Sequence, residues 1–518
     1  MSVDNLPMWF DSTWYCKQYP DVAVASVDPY DHYMHHGIKE GRLPCPLQAL
    51  KWDEALWQQT DDGAECIQAL HRLLEHANPL EASFAGFALG RWYAWKQAWA
   101  EAARVLACRP VDDVCLPNHS GPALLEIEAY TRIGKFSLAW RKMALLRDQV
   151  PGYKDTFLAV SNLLQATAEQ SAGVAGHVQA TLQAQRLAWL NNVWLAAGLV
   201  PVALRNRQQP LSIDNLDSVR AHTNKADGAD QRQRAIESAT KSATKSATKS
   251  ATVSGAVPLV SVIVPVFNAG DGVLTALRSL AAQTLRHRFA GALEVIVVDD
   301  ASTDNTVAVA EAFAAQTPGF RVLRQSKNVG AYAARNRGLA EAKGECVTVH
   351  DSDDWSHPQK LEIQWRGLQQ HPEWMACNSY WVRCTSDLVF TSWRMEQGWI
   401  YRNTSSLMFR RKVFETLGYW DRVRVEADTE YYYRIQAAFG PQSLGEVLPG
   451  VPLAFGRMVP TALTMQSSTH LVTQFSGVRA DYRKASEVWH RDALSPEDLY
   501  LPEAPRKRPF WAPMVITV

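Results

Sequence analysis

From Pro258 onward, short apolar runs alternate regularly with amphipathic stretches. Four runs are rich in apolar residues, and they are VSVIVPVF, LEVIVVDD, FRVLRQ and ECVTVH. The stretch after the first run has apolar residues at helical spacing, including Val273, Leu277 and Ala281. Strands that are apolar on both faces and alternate with amphipathic helices are typical of a parallel sheet covered by helices on both sides. The pattern therefore predicts an α/β domain in the C-terminal half of the chain.

Carboxylates directly follow two of these predicted strands. Asp300 ends the second run, and three carboxylates, Asp351, Asp353 and Asp354, follow the fourth. Open α/β sheets bind ligands outside the carboxyl ends of their strands, so we expect these side chains to face one pocket. Crowded carboxylates repel one another unless a cation lies among them, and hard divalent cations prefer carboxylate oxygens. The alternative for such a cluster is a solvated turn that caps its own backbone.

The sequence lacks the usual glycine-rich phosphate loops. GxGxxG does not follow the first predicted strand, and GxxxxGK[ST] occurs nowhere. A metal that bridges carboxylates and a diphosphate neutralises phosphate charge in another way and helps a phosphate oxygen leave. We therefore expect a metal-assisted nucleotide site.

Six strings, in order, resemble a family 2 glycosyltransferase with the GT-A fold. They are VSVIVPVFN, AAQTL, EVIVVDDASTDNT, NVGAYAARNRGLAEAKGE, the DSDD cluster and ADTEYYYRI. The resemblance runs from residue 258 to about residue 440, which is under half of the chain. It implies an inverting transfer of a sugar from a nucleoside diphosphate donor, with UDP as the expected nucleotide and Mg or Mn as cofactor. The acceptor would be a saccharide or lipid-linked hydroxyl in bacterial surface-polysaccharide synthesis.

The resemblance also implies roles for individual residues. Those that would bind the donor nucleotide are Pro265, Phe267, Asp300, Arg335 and Asp351. Those that would bind the metal are Asp353, Asp351 and His470, with Asp354 supporting the turn. For Arg335 the alternative is a structural salt bridge, and for His470 it is a structural histidine.

An inverting displacement needs a base that takes the proton of the attacking hydroxyl. The family places an acidic pair at the start of a helix, and here Asp428 aligns with the base while Ala427 replaces the usual Glu. Glu426 is a weaker substitute on the acceptor side, where Trp420 would offer a flat apolar face to a sugar. The alternatives are an acidic first turn that favours the helix dipole and a tryptophan that belongs to the core.

The N-terminal half has the pattern of a helical repeat region. The run AYTRIGKFSLAWRKMALLRDQVPGY resembles a tetratricopeptide helix pair. An earlier copy, YAWKQAWAEAARVL, has Trp99 and Ala102 in register with Phe136 and Ala139. Two degenerate copies predict a short all-α, TPR-like domain. It would bind a protein partner or mediate self-association, and the alternative is a packing appendage.

Changes in composition divide the chain into five parts. We assign residues 1–50 to a short helical module, 51–210 to the TPR-like domain, 211–257 to a linker, 258–480 to the transferase domain and 481–518 to a C-terminal extension. The linker contains KSATKSATKSAT, which has no large apolar residues that could build a core.

Charge and hydropathy exclude several other classes. Lys and Arg number 53 and Asp and Glu number 53, so we expect no nucleic-acid partner. No apolar run is long enough to span a membrane and no signal peptide opens the chain. The eight cysteines form no CxxC pair, which favours reduced thiols. We expect a cytoplasmic protein, either soluble or peripheral at the inner face of the plasma membrane.

Two other functions remain open. A sugar nucleotidyltransferase shares a similar sheet, but it would usually carry basic residues in the loop after the first strand, and FNAGDG has none. A non-catalytic binding protein would use the sheet as a scaffold and the helical repeats to recruit partners. The joint presence of Asp300, Asp351, Asp353 and Asp428 favours an active metal-dependent hexosyltransferase.

Overall fold

The structure has a helical N-terminal half and a sheet-based C-terminal half. It is a computed structural model that describes residues 7, 9–58, 63–109, 120–170, 176–218, 257–391, 398–458 and 476–518. The KSAT repeat and His470 lie outside the described residues.

The N-terminal helices run consecutively along the chain. They are α1 (Ser12–Gln18), α2 (Pro20–Val24), α3 (Pro29–His32), α4 (Gln48–Gln58), α5 (Ala64–Leu73), α6 (Pro79–Trp95), α7 (Trp99–Ala107), α8 (Ser120–Arg132), α9 (Phe136–Gln149), α10 (Asp155–Gln170) and α11 (Gly176–Leu195). A π-helical turn, Tyr33–Gly37, follows α3.

Neighbouring helices pack in pairs, α6 with α7, α8 with α9 and α10 with α11. Ala102 and Ala139, which the sequence places in register, are both fully buried at helix contacts. Small residues at these positions let helix backbones approach closely. The resemblance of these pairs to tetratricopeptide repeats stays a prediction.

The C-terminal half contains most of the strands. The strands are β1 (Val202–Leu204), β2 (Leu216–Ser218), β3 (Val260–Val266), β4 (Leu293–Asp299), β5 (Phe320–Arg324), β6 (Cys346–Val349), β7 (Trp355–Ser356), β8 (Ala376–Asn378), β9 (Tyr380–Cys384), β10 (Phe390–Thr391), β11 (Tyr401–Arg402), β12 (Met408–Arg410), β13 (Leu444–Glu446) and β14 (Pro452–Arg457). The helices are α12 (Val273–Ala281), α13 (Thr284–Arg288), α14 (Thr306–Gln316), α15 (Ala331–Glu341), α16 (Lys360–Gln370), α17 (Arg411–Leu417), α18 (Ala427–Phe439) and α19 (Val478–Asp492).

The main sheet has seven strands in the spatial order β13, β8, β12, β6, β3, β4, β5. The four strands predicted from apolar runs, β3 to β6, are parallel neighbours at its centre and one edge. Every residue of β4 and β6 is buried, as their apolar composition requires. The predicted architecture, an α/β domain joined to an all-α N-terminal region, is confirmed.

A second sheet lies beside the end of β6. Its strands pair in the order β10, β9, β14, β7, and β11 also pairs with β9. The acidic loop, residues 351–354, leads directly from β6 in the first sheet into β7 in the second. The sequence pattern did not predict this sheet, because strands of two to six residues are too short to show a period.

Residues 211–218, which the sequence composition assigns to the linker, are folded. Residues 202–204 and 216–218 form an antiparallel pair, and the side chain of Asn215 closes the turn with hydrogen bonds to the carbonyls of Asn206, Gln209 and Pro210. Leu211 and Ile213 are buried in the large core cluster. Residues 211–218 therefore belong to the folded part of the chain, because they bury apolar side chains and satisfy their own backbone.

Helices α10 and α11 pack directly on the transferase half. Asn162 exchanges two hydrogen bonds with the backbone of Phe390, at 2.6 and 2.8 Å. Arg186 is fully buried and donates to the carbonyls of Asp387 and Leu388. The indole of Trp194 donates to the carbonyl of Pro452 at 2.8 Å. The two halves therefore share one core through α10 and α11.

The C-terminal extension is also part of the transferase core. Helix α19 begins at Val478, three residues before the predicted boundary. Tyr482, Leu499, Phe510 and Ile516 are buried in the same apolar cluster as the strand residue Phe409. Residues 481–518 thus cover one face of the main sheet.

Two further observations concern membranes and thiols. Within the described ranges, every helix is too short or too polar to cross a bilayer. The seven cysteines in those ranges are free thiols.

Candidate active site

The acidic loop combines one ion-paired carboxylate with two crowded ones. Asp351 accepts a hydrogen bond from Nη2 of Arg335 at 2.8 Å. Asp354 is buried and accepts from the backbone N–H of Arg457 at 3.0 Å. Asp354 thus fixes the turn, as expected, while Asp351 and Asp353 remain partly accessible.

The charges of this loop are poorly compensated. Burial, followed by the negative charge of Asp351, raises the pKa of Asp353 above its usual value. Burial and the charges of Asp353 and Asp351 raise the pKa of Asp354 still further. Such crowding is relieved when a cation binds between carboxylates, so Asp351 and Asp353 suit a hard divalent cation.

The described residues supply only part of a metal coordination sphere. Within the described residues, no set of three or more His, Cys, Asp or Glu side chains forms a ready metal site. The two carboxylates would therefore need further ligands from the bound diphosphate and water. The predicted contribution of His470 falls outside the described residues.

Two buried basic side chains, those of Lys360 and His350, lie near the acidic loop. Lys360 is 1% exposed, its Nζ donates to Oγ of Ser406 at 2.9 Å, and burial lowers its pKa to about 8. His350 bonds the carbonyl of Asp351 and the hydroxyl of Ser356, and burial lowers its pKa to about 4. Lys360 lies six residues after the DSDD cluster, but its burial near the carboxylates could not be read from the sequence.

The carboxylate of Asp300 accepts three hydrogen bonds from other residues of the chain. Its carboxylate accepts from Nε2 of Gln325 at 2.9 Å and from the backbone N–H groups of Val329 and Gly330 at 2.9 and 2.7 Å. These bonds fix the loop that leads into α15. Nearby, Pro265 is half-buried at the end of β3, and Phe267 is 49% exposed, as an open wall of a pocket would be.

Helix α15 joins the acidic loop to the predicted base. Tyr332 donates its hydroxyl to Oδ1 of Asp428 at 2.8 Å. Arg335, one turn later on the same helix, binds Asp351 and places its guanidinium carbon 4.8 Å from the centre of the Tyr332 ring. Asp351 and Asp428, which are 77 positions apart in sequence, therefore face the same part of α15.

Tyr332 was not predicted as a site residue. Its position three residues before Arg335 is the only sequence signal, because side chains at that spacing lie on one helix face. Burial, and then the charge of Asp428, raise the pKa of Tyr332 well above its usual value, so its hydroxyl stays protonated as the donor.

The acceptor-side prediction for Trp420 is wrong. Trp420 is 5% exposed, and its ring packs against Phe409 and Tyr431 at centroid distances of 5.8 and 5.1 Å. Its backbone also exchanges two hydrogen bonds with the side chain of Asn336. A ring enclosed in this way cannot offer a face to a sugar.

The side chain of Glu426 is likewise buried in a structural contact and is not accessible to an acceptor. It is 7% exposed and pairs with Arg479 of α19 at 2.7 Å. Its backbone φ of 73° is in the left-handed region that L residues rarely adopt, immediately before α18. The ion pair holds this strained turn and so sets the position of Asp428, two residues later.

The sequence profile described as Glycosyl transferase family 2 matches residues 261–424. The chain carries a family 2 glycosyltransferase domain. Asp300, Arg335 and the acidic loop lie within the matched residues, whereas Asp428 and Arg457 lie just beyond them.

Three similar proteins show the extent of the likeness. The uncharacterized glycosyltransferase YibD of Escherichia coli (strain K12) is 40% identical over 123 residues, which are 24% of this chain and 34% of that protein. Glycosyltransferase GlyG of Streptococcus pneumoniae serotype 4 (strain ATCC BAA-334 / TIGR4) is 34% identical over 129 residues, which are 25% of this chain and 41% of that protein. The crystal structure of S. aureus TarS 1-349 in complex with UDP-GlcNAc is 17% identical, with a TM-score of 0.34, and the match covers 46% of this chain and 73% of that chain. The chain thus spans roughly a third to two fifths of the length of these curated relatives.

Proposed function

We propose that the protein is an inverting glycosyltransferase that moves a sugar from a nucleoside diphosphate donor, UDP-linked by preference, to an acceptor hydroxyl. The observation that carries this proposal is the pairing on α15, where Arg335 holds Asp351 and Tyr332 holds Asp428. The carboxylates proposed for the donor side and for the base are thus both bonded to the same helix. Membership of the family 2 glycosyltransferase domain supports the same class of reaction.

On the donor side, Asp353 and Asp351 would hold Mg²⁺ or Mn²⁺. When bound, this cation would neutralise part of the charge of the diphosphate. Arg335 would add positive charge to the same place. Its Nε and Nη1 atoms are buried and have no hydrogen-bond partner among the described residues, which leaves N–H groups for phosphate oxygens.

On the acceptor side, Asp428 would act as the base. The oxygen of the acceptor hydroxyl attacks C1 of the sugar and forms the new glycosidic bond. The bond from C1 to the diphosphate oxygen breaks, the diphosphate leaves with the electron pair, and the hydroxyl proton passes to Asp428. The hydrogen bonds to Asp428 from Tyr332 and from the backbone N–H of Thr429 both fall on Oδ1, so Oδ2 is available for this proton.

The physiological acceptor would be a saccharide or lipid-linked hydroxyl in cell-surface polysaccharide synthesis. This part of the proposal rests on the resemblance to bacterial glycosyltransferases. The protein would work in the cytoplasm, where nucleotide sugars are made, or at the inner face of the plasma membrane.

Release of nucleoside diphosphate from a panel of UDP- and GDP-sugars, with and without Mn²⁺, tests the proposed function. We expect metal-dependent release with at least one donor and its loss in Asp428→Asn. Release of pyrophosphate from a nucleoside triphosphate and a sugar phosphate would instead identify a nucleotidyltransferase. Binding of a nucleotide sugar without any turnover would identify a binding protein.

A further inference from the structure

Arg457, at the end of β14, connects the acidic loop to a segment that lies outside the family domain. Its backbone N–H donates to Asp354 at 3.0 Å, and its Nε donates to the backbone carbonyl of Asp353 at 3.1 Å. Arg457 therefore contacts two consecutive residues of the loop. Its main-chain N–H binds the side chain of Asp354, and its side chain binds the main-chain carbonyl of Asp353.

The far side of the Arg457 guanidinium is held by Asp214. Both terminal nitrogens of Arg457 bind the two carboxylate oxygens of Asp214, and Nη1 also donates to Oγ of Ser386 at 2.9 Å. Thr275 at the start of α12 donates to the same carboxylate. A bidentate pair fixes the plane of a guanidinium as well as its position.

Hydrogen bonds hold the turn that contains Asp214. It lies between β1 and β2, in the turn that Asn215 closes and whose backbone N–H at Ile213 donates to the carbonyl of Ser386 at 2.9 Å. Burial raises the pKa of Asp214, but the hydrogen bonds from Arg457 and Thr275 outweigh it and lower the pKa overall, so the carboxylate is charged at neutral pH.

We propose that Asp214 and Arg457 are positioning residues that hold the acidic loop in the conformation that receives the donor and its cation. This proposal rests on the proposed function, since it names how the same site is organised. Arg457 holds the backbone carbonyl of Asp353, and so it fixes the main chain from which the Asp353 side chain projects. Loss of the Asp214 carboxylate charge would free the guanidinium to pair with the acidic loop itself.

This arrangement gives residues 202–218 a role in the active site. A half-exposed ion pair contributes little to global stability, and the side chain of Asp214 is 47% exposed. When a residue that holds a metal ligand in place is lost, metal affinity or activity nevertheless typically falls by about 10- to 100-fold. The effect of Asp214 should therefore be seen in the site and not in the melting temperature.

Asp214→Asn in the full chain tests the proposal, with Asp217→Asn as the matched control. The side chain of Asp217 bonds only its neighbour Ser218 among the described residues, and it lies on the same short strand pair. Two quantities are compared with wild type, namely hydrogen–deuterium exchange of residues 350–358 without metal and Mn²⁺ affinity in the presence of UDP, followed by electron paramagnetic resonance. We expect Asp214→Asn to exchange faster in this segment and to bind Mn²⁺ about tenfold more weakly, while Asp217→Asn behaves as wild type.

The two readouts separate failure of this proposal from failure of the proposed function. If wild type binds no Mn²⁺ with UDP, the assigned metal site is wrong, and loop exchange alone decides the role of Asp214. Unchanged exchange in Asp214→Asn overturns the positioning role, as does unchanged Mn²⁺ affinity where wild type binds the ion. An equal loss in Asp217→Asn also overturns it.

If Asp214→Asn does not fold, Ser386→Ala replaces it, because this change removes only one neutral contact of Arg457. We then expect the same changes in a weaker form, about two- to threefold in Mn²⁺ affinity. Wild-type exchange and affinity in Ser386→Ala would overturn the positioning role.

Discussion

Asp300 and Asp353 both follow central parallel strands, yet their surroundings are opposite. The carboxylate of Asp300 receives three hydrogen bonds from its own chain. Asp353 lies next to two other carboxylates, and its pKa is raised by burial and by the charge of Asp351. The hydrogen bonds to Asp300 from its own chain suit a structural role, whereas the uncompensated charge of Asp353 suits the binding of a cation.

The largest expected effect is on activity in Asp353→Asn. We expect the rate of sugar transfer to fall by more than about a hundredfold. Loss of a residue that only supports a metal ligand costs at most about that much. The melting temperature without metal should stay the same or rise, since the substitution removes repulsion with Asp351. Steady-state kinetics and thermal unfolding on one preparation give both values. Equal losses of stability and activity would mean that Asp353 is structural, like Asp300.

Asp300→Asn should mainly reduce stability. An amide would turn its NH₂ group toward N–H donors that now point at a carboxylate. We expect a loss of about 2 to 3 kcal/mol in the free energy of unfolding, measured with urea, because buried hydrogen bonds to a charge are broken. Glu311→Gln is the control, since this exposed residue forms a surface ion pair with Arg324 and should change stability by less than about 0.5 kcal/mol. A fully stable but inactive Asp300→Asn would place Asp300 among the ligand-binding residues instead.

Tyr332→Phe should affect the acceptor side alone. The substitution keeps the ring under Arg335 and removes only the hydroxyl that orients Asp428. We expect kcat to fall about tenfold, which is less than the loss of a general base itself would cost because Asp428 is still present, with little change in KM for the donor. A larger change in donor KM than in kcat would show that Tyr332 serves the nucleotide side.

The smallest expected effect concerns pH. A carboxyl group with a raised pKa binds more protons in the folded than in the unfolded state, so stability falls as pH rises through the interval above 3.8. The metal-free wild type should therefore lose stability relative to Asp353→Asn from pH 4 upward, until Asp353 is ionised in the folded state. Melting curves of both proteins across this range measure the difference. A constant difference would show that the charge of Asp353 is already compensated.

The central sheet was predictable because β3, β4 and β6 are almost entirely buried and so are rich in apolar residues. The second sheet was not, because its strands are too short to show a period and are recognised only from their pairing with one another. Asp428 could be placed through its family string, whereas Trp420 was misjudged because exposure depends on Phe409 and Tyr431, which pack around it. Asp214 gave no signal, since its partner Arg457 is 243 positions away.

A titration of Mn²⁺ in the presence of UDP, followed by electron paramagnetic resonance, tests the contrast between Asp353 and Asp300 most directly. The structure predicts one UDP-dependent site per wild-type chain, lost in Asp353→Asn and retained in folded Asp300→Asn. Retention of Mn²⁺ in Asp353→Asn, or no binding by the wild type, would contradict the assignment of the acidic loop as the cation site.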